Sequence, residues 1–304
     1  MSISDRTPLR SLLRITITLI TGLLTGVVIA PPIVAFVFGN DINLTANFDN
    51  SMASPLLLSQ GIATSIGFIL FPLIHIYWLE HKPLMPLIDN RARFSQSLLL
   101  VVLLALAFPL AISPIAEWNA SMHFPGFMKG FEVWAREQED LLAKMTNVVT
   151  SFDTVGSLFT ALFVMAVLAA IGEELVFRGM IQNELWRGSD NIHVAIWATA
   201  IIFSAIHMQF FGFIPRVLLG ALFGYLYYWS GNLLVPIAAH FVNNTFGVVM
   251  RYLYNIKVIS TDVEDVESAP WSLVIVCAIA AAALIYQIRN VYLKAPATAS
   301  DKSY

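Results

Sequence analysis

About eight apolar runs constrain this chain more than any other feature. They fall at 11–38, 55–79, 95–116, 155–177, 192–211, 214–230, 232–251 and 271–293. Crossing the roughly 30 Å hydrocarbon core of a bilayer takes about 20 residues of helix. Within hydrocarbon, the backbone N–H and C=O groups must be satisfied inside the segment itself, which a helix does. Composition agrees: 58% of the 304 residues are hydrophobic and 12% charged, whereas soluble domains carry about 25% charged residues. The expected fold class is all-α, a single polytopic membrane domain over 1–304 with about eight transmembrane helices and the lipid bilayer as its solvent.

Charge and cysteine usage narrow the reading further. A net charge of −3 without a basic stripe argues for no nucleic-acid partner. The one cysteine, Cys277, lies inside the last run, so neither an internal disulfide nor a Cys-based metal motif is available. The N-terminal "MSISDRTPLRSLLR" is basic like a signal peptide. The apolar stretch behind it, from Leu12 to Phe38, is too long for a cleaved segment and reads as the first span, kinked at Pro31-Pro32. Arginine and lysine placement (Arg6, Arg10 and Arg14; Lys82, Arg91 and Arg93; Arg178 and Arg187; Arg289, Lys294 and Lys302) puts both termini in the cytoplasm. Lys129, Arg136, Lys144, Arg216 and Lys257 run against that assignment. The expected location is a bacterial plasma membrane.

The largest loop, 117–154, falls on the external side. Phe131, Trp134, Leu141, Leu142, Met145 and Val148 recur in it near helical spacing. Two readings stay open: an amphipathic helix lying at the interface as a lid or substrate guide, and a short helix packed on its own spans. The tail 294–304 is expected to be disordered.

Ionisable residues inside the spans are the next signal, since each costs roughly 2.5–3.5 kcal/mol near the bilayer centre and tends to have a partner or a function. In "GEELVFRG", Glu174 and Arg178 are i,i+4 with the glutamate first, the favourable order for a same-face ion pair. Glu173 is rotated about 100° from Glu174 on an ideal helix, which frees it to face another neighbour. "FSAIH" places His207 in the fifth run, and "HFVNN" places His240 one turn before Asn244 in the seventh. Taken singly, each has a bland explanation: a solvated helix end, a satisfied core histidine, interhelical hydrogen bonding. Together they supply a carboxylate base, two imidazoles and an amide donor, the set that water-mediated amide hydrolysis needs. No HExxH sequence occurs. Glu173, His207 and His240 would also suit Zn2+ with a water in the open position, so metal-assisted and metal-free glutamate chemistry both stay open.

Glu173-Glu174-x-x-x-Arg178, Phe203-x-x-x-His207 and His240-x-x-x-Asn244, in that order, resemble the CAAX-protease and bacteriocin-processing family of intramembrane endopeptidases. That family includes the eukaryotic Ras-converting enzyme and the bacterial Abi immunity proteins, and the surrounding sequence resembles the bacterial branch. The resemblance spans 155–252. It implies an eight-helix fold with a catalytic cavity open toward the cytoplasm, and a peptide or protein substrate. It further implies Glu173 as general base, His207 and His240 completing the site, Asn244 holding the oxyanion, and Glu174 and Arg178 in support. For Glu173 to meet His207, residues 178–187 must stay helical and Arg178 must leave the surface. The alternatives are a non-proteolytic membrane immunity or scaffold protein and a proton-coupled transporter. The complete Glu, His, His, Asn set disfavours the first, and the lack of inverted repeats the second.

Overall fold

The fourth apolar run does not stop at its charged residues. In the computed structural model, which describes residues 7–39, 49–81, 91–260 and 267–293, one helix continues from Val155 to Ser189. The tail 294–304, residues 40–48 and 261–266 in the loops after the first and seventh runs, and the flanking cations Arg6, Lys82, Lys294 and Lys302 lie outside the described residues. So do the side chains of residues 91 and 92.

Ten helices make up the described fold, with no extended strand among the described residues. They are α1 (Pro8–Phe38), α2 (Asn50–Leu79), α3 (Arg91–Ala111), α4 (Ser113–Ala120), α5 (Lys129–Val149), α6 (Val155–Ser189), α7 (Ile192–Ala205), α8 (Phe213–Ser230), α9 (Leu234–Asn255) and α10 (Trp271–Leu293). Helix α1 continues through Pro31 and Pro32. By length and composition, six helices are apolar and long enough to cross a membrane: α1, α2, α3, α6, α8 and α10. The fifth and seventh expected spans differ from these. Helix α7 has 14 residues, about 21 Å at 1.5 Å per residue, short of a bilayer's width. Helix α9 is 22 residues long, but its apolar character is interrupted by His240, Asn243, Asn244 and Arg251.

Small residues let the helices approach closely, the usual solution where lipid tails compete with apolar side chains for the same contacts. A methyl group built on Gly26 of α1 would lie 2.8 Å from the Ala63 Cα of α2, so this crossing has no room for a side chain. On the other flank α3 packs along α10, where Val101, Leu104 and Ala105 meet Ala281, Ile288 and Tyr292, and the Ser97 hydroxyl meets the Tyr292 hydroxyl at 2.6 Å.

The length of α6 sets the position of the site. Its 35 residues span about 52 Å, so α6 either tilts or projects beyond the hydrocarbon. Glu173 lies sixteen residues before Ser189, about 24 Å from that end. Helix α7 starts beside that end and climbs about 21 Å before stopping at Ala205, level with Glu173. The antiparallel α7–α8 pair is thus a hairpin whose tip, residues 206–212, reaches only the middle of α6.

Helices α4 and α5 cover that tip. The Asn119 side chain accepts from the Ile214 N–H (2.8 Å) and donates to the Phe210 carbonyl (3.2 Å), while Glu139 accepts from the Phe211 N–H (3.0 Å). The Phe131 and Trp134 rings rest on Phe210, with centroids 5.2 and 5.5 Å away, and the Arg136 guanidinium lies 3.9 Å from the Phe211 ring centre. The first turn of α5 is fixed by Glu132, which receives His123 Nδ1, the Phe124 N–H and the Arg136 guanidinium at 2.8–3.1 Å. Val133 and Leu141 of the same helix remain exposed.

Two predictions follow from this packing. Gly26→Val is expected to lower the thermal unfolding temperature in detergent by several degrees, whereas Gly130→Ala, where nothing lies within 4 Å of the added methyl, leaves it unchanged. The second concerns pH. The hydrogen bonds from His123, then Phe124 N–H and then Arg136 hold Glu132 down to about 2, against 4.5 for a free glutamate. A depressed carboxylate contributes order above the unfolded value, and that order is lost as pH falls through the folded value. Amide protection at 123–136, taken relative to the exchange of an unstructured peptide at the same pH, is therefore expected to hold at pH 5 and to fall between about pH 4.5 and pH 2. Glu132→Gln is expected to flatten that fall.

Candidate active site

Helix α6 brings its two glutamates to the buried face of the α7–α8–α9 cluster. Directly after them the helix widens into a π-helical stretch, Phe177–Gln182, a local rearrangement that often accompanies functional sites. Arg178 is the second residue of this stretch and is fully buried, as is Glu174. Arg178 Nη1 donates to Glu174 Oε1 at 2.8 Å, and Nη2 donates to the Gly220 carbonyl of α8 at 2.7 Å. The guanidinium also lies against two aromatic faces, 5.1 Å from the Phe203 ring centre and 5.4 Å from that of Phe223. Gly220 also lets α8 pack closely on α7, because a methyl there would lie 3.1 Å from Ala200 Cβ. Residues 178–187 are helical throughout.

His240 joins the two carboxylates. Its Nδ1 donates to Glu174 Oε1 at 2.8 Å, and its Nε2 lies 3.8 Å from Glu173 Oε2, beyond hydrogen-bonding distance. The imidazole is stacked on Phe223, with centroids 5.0 Å apart and planes 19° apart. Glu174 therefore has its charge answered by Arg178 and His240. Glu173, with 20% of its side chain exposed, forms no hydrogen bond among the described residues.

His207 stands just past the end of α7. Its Nδ1 donates to the Phe203 carbonyl at 2.7 Å, leaving Nε2 as the ring's other face. The Phe203 ring contacts both imidazoles, at 5.0 Å from His207 and 6.1 Å from His240. The next residue, Met208, has φ +55°, in the left-handed region that costs a non-glycine residue about 1–2 kcal/mol. Asn244 sits one turn beyond His240. It donates from Nδ2 to the Met165 carbonyl of α6 at 3.0 Å and accepts from Asn243 at 3.3 Å, so one of its two amide hydrogens is uncommitted.

The donors do not fit a three-ligand metal centre. No group of three or more His, Cys, Asp and Glu side chains among the described residues converges as metal ligands. The zinc-type donor set of Glu173, His207 and His240 is not such a group, and the His240 Nδ1 contact with Glu174 leaves only Nε2 of that ring facing Glu173.

Residues 155–246 match the family model described as type II CAAX prenyl endopeptidase, Rce1-like. The matched segment contains Glu173, Glu174, Arg178, His207, His240 and Asn244. The curated relatives include an uncharacterized protein, YpbD, of Bacillus subtilis (strain 168), 34% identical over 82 residues, or 26% of this chain and 39% of that protein. They include a putative membrane peptidase, YdiL, of the same organism, 28% identical over 105 residues, or 34% and 43% of the two chains. A membrane-embedded CAAX protease, MroQ, of Staphylococcus aureus (strain USA300) is 34% identical over 98 residues, or 30% and 39%. The chain thus spans about two fifths of these relatives' length. No solved structure matches it significantly.

The sequence pattern did not reveal Phe203 and Phe223 as the faces that hold Arg178 and His240, nor the Gly220 carbonyl. Of these, only Phe203 lay in a motif, and aromatic residues are too common in apolar helices to stand out. Arg216 was visible only as a cation on the wrong side for the orientation rule.

The buried pair makes a clear stability prediction. Removing one partner of a buried ion pair leaves an uncompensated charge and costs about 3–5 kcal/mol. Arg178→Met should therefore lower unfolding stability in detergent by that amount, and the double variant Glu174→Gln/Arg178→Met should recover part of it.

Proposed function

We propose that the chain is a membrane-embedded endopeptidase that hydrolyses a peptide bond with water activated by Glu173. The observation that carries this reading is the division between adjacent carboxylates. Glu174 is buried and bound by Arg178 and His240, while Glu173 keeps a partly exposed carboxylate without a hydrogen-bonding partner among the described residues. In this reading the Glu173 carboxylate takes a proton from water as the water oxygen bonds to the peptide carbonyl carbon. The proton then passes to the leaving amine as the C–N bond breaks. His207 Nε2 orients the water or the leaving group, because its Nδ1 proton is committed to the Phe203 carbonyl. Asn244 offers its second amide hydrogen to the oxyanion, and His240 holds the two glutamates in register.

The same reading includes eight spans, both termini in the cytoplasm and a bacterial plasma membrane. It counts α7 as a short span that stops at mid-depth and α9 as a polar one. The cover that α4 and α5 form over the 206–214 turn supports substrate entry from the opposite, cytoplasmic side.

The test uses protein reconstituted in lipid vesicles with a proteome-derived peptide library, counting new N-termini by mass spectrometry. Glu173→Gln is expected to reduce cleavage by on the order of 10²–10⁴-fold with an unchanged unfolding temperature. Equal cleavage by wild type and this variant would end the proposed mechanism.

A further inference from the structure

The site contains a second arginine that the hydrolytic reading leaves without a task. Arg216 lies in the first turn of α8, half-buried, at the covered tip of the α7–α8 hairpin. Its Nη2 donates to the Gln209 side chain, a neutral partner two residues from His207. Its Nη1 is buried and has no hydrogen-bonding partner among the described residues. Arg216 forms no salt bridge among the described residues, whereas Arg178 is paired with Glu174. Glu173, Glu139 and His207 all lie within its electrostatic reach.

Such an arrangement is costly without a ligand. A guanidinium in a low-dielectric interior needs an anion and hydrogen-bond acceptors to offset its desolvation. The fixed fork of its N–H groups matches a carboxylate better than any other common peptide group. Two protein carboxylates, Glu139 and Glu173, act on it through space, and neither forms a salt bridge with it among the described residues. Glu139 is engaged by the Phe211 N–H, and in the proposed function Glu173 is directed at water. Resting on that reading of the site as a peptidase, we propose that Arg216 is a specificity-determining residue that binds a carboxylate of the peptide substrate next to the scissile bond, held ready by Gln209. Arg216 then selects peptides that place a negative charge within a few residues of the cut. That charge is either the chain's own C-terminal carboxylate or an acidic side chain.

The two sources separate with three probes: the tripeptide Leu-Leu-Ala, its C-terminal amide, and N-acetyl-Leu-Asp-Leu-amide. Binding of each to the full chain in lipid nanodiscs is measured by titration calorimetry, which requires no turnover. Wild type is expected to bind at least one carboxylate-bearing probe about tenfold more tightly than the neutral amide, and whichever probe gains identifies the source. Arg216→Gln is expected to abolish the difference and Arg216→Lys to retain part of it, both with unchanged unfolding temperatures. Equal binding of all three probes to wild type, no binding of any probe up to millimolar concentration, or a preference that survives Arg216→Gln would each overturn the proposal. Loss of cleavage on Glu173→Gln tests the hydrolytic reading separately. A preference for carboxylates without cleavage would sink that reading and leave the binding role of Arg216 standing. Cleavage without the preference would do the opposite.

Discussion

The ion pair between Glu174 and Arg178 is the constraint on which the rest of the site depends. Both side chains are fully excluded from solvent, and neither would be tolerable there alone. Satisfying the arginine takes a backbone carbonyl from α8 and two aromatic faces from α7 and α8, and satisfying the glutamate takes an imidazole from α9. Four helices therefore converge on two charges. Their register follows from this convergence, because Gly220 and His240 must stand at the level of Arg178 and Glu174. The adjacent Glu173 inherits its position from the pair without taking part in it.

A second constraint is the shortness of α7. A helix of 14 residues cannot carry its end across a bilayer, so the turn bearing His207 stops at the depth of Glu173. Irregular backbone at that depth must be satisfied by protein rather than left to lipid. The side chains that do so come from α4 and α5: Asn119 and Glu139 take the Ile214 and Phe211 N–H groups, and Asn119 also binds the Phe210 carbonyl. The segment that matches the Rce1-like family model, 155–246, therefore relies on residues outside it to complete the turn that carries His207.

Much of this was legible in the sequence, and the reasons differ by feature. Apolar runs report helices directly, since length and hydropathy are sufficient inside hydrocarbon, and the i,i+4 spacing of Glu174 and Arg178 reports a pair that the structure contains at 2.8 Å. The spacing of Phe203 and His207 likewise places the Phe203 carbonyl within reach of the imidazole. The sequence could not reveal the tertiary contacts. His240 faces Glu174 only because α9 packs on α6, and no periodicity encodes which of two adjacent glutamates it meets more closely. The fifth span was expected to run through residue 211, yet α7 ends at Ala205. Apolar composition continues through the turn and conceals the break.

The two interior arginines show why position in the sequence alone does not determine the role of a charge. Arg178 and Arg216 are both cations in apolar helices, and the orientation rule treats each as a marker of sidedness. Arg178 occupies the same helical face as a glutamate one turn earlier, so its neutralisation is local and was written into a single helix. Arg216 has no acidic residue three or four positions away on α8, since Gly212, Phe213, Gly220 and Leu219 occupy those places. Its compensation must come from another element or from a bound molecule. Among the described residues it obtains one neutral amide and the distant fields of Glu139 and Glu173. The difference between the two arginines is therefore one of charge: Arg178 has a carboxylate partner on its own helix, whereas Arg216 forms no salt bridge among the described residues, and the proposed ligand role rests on that difference.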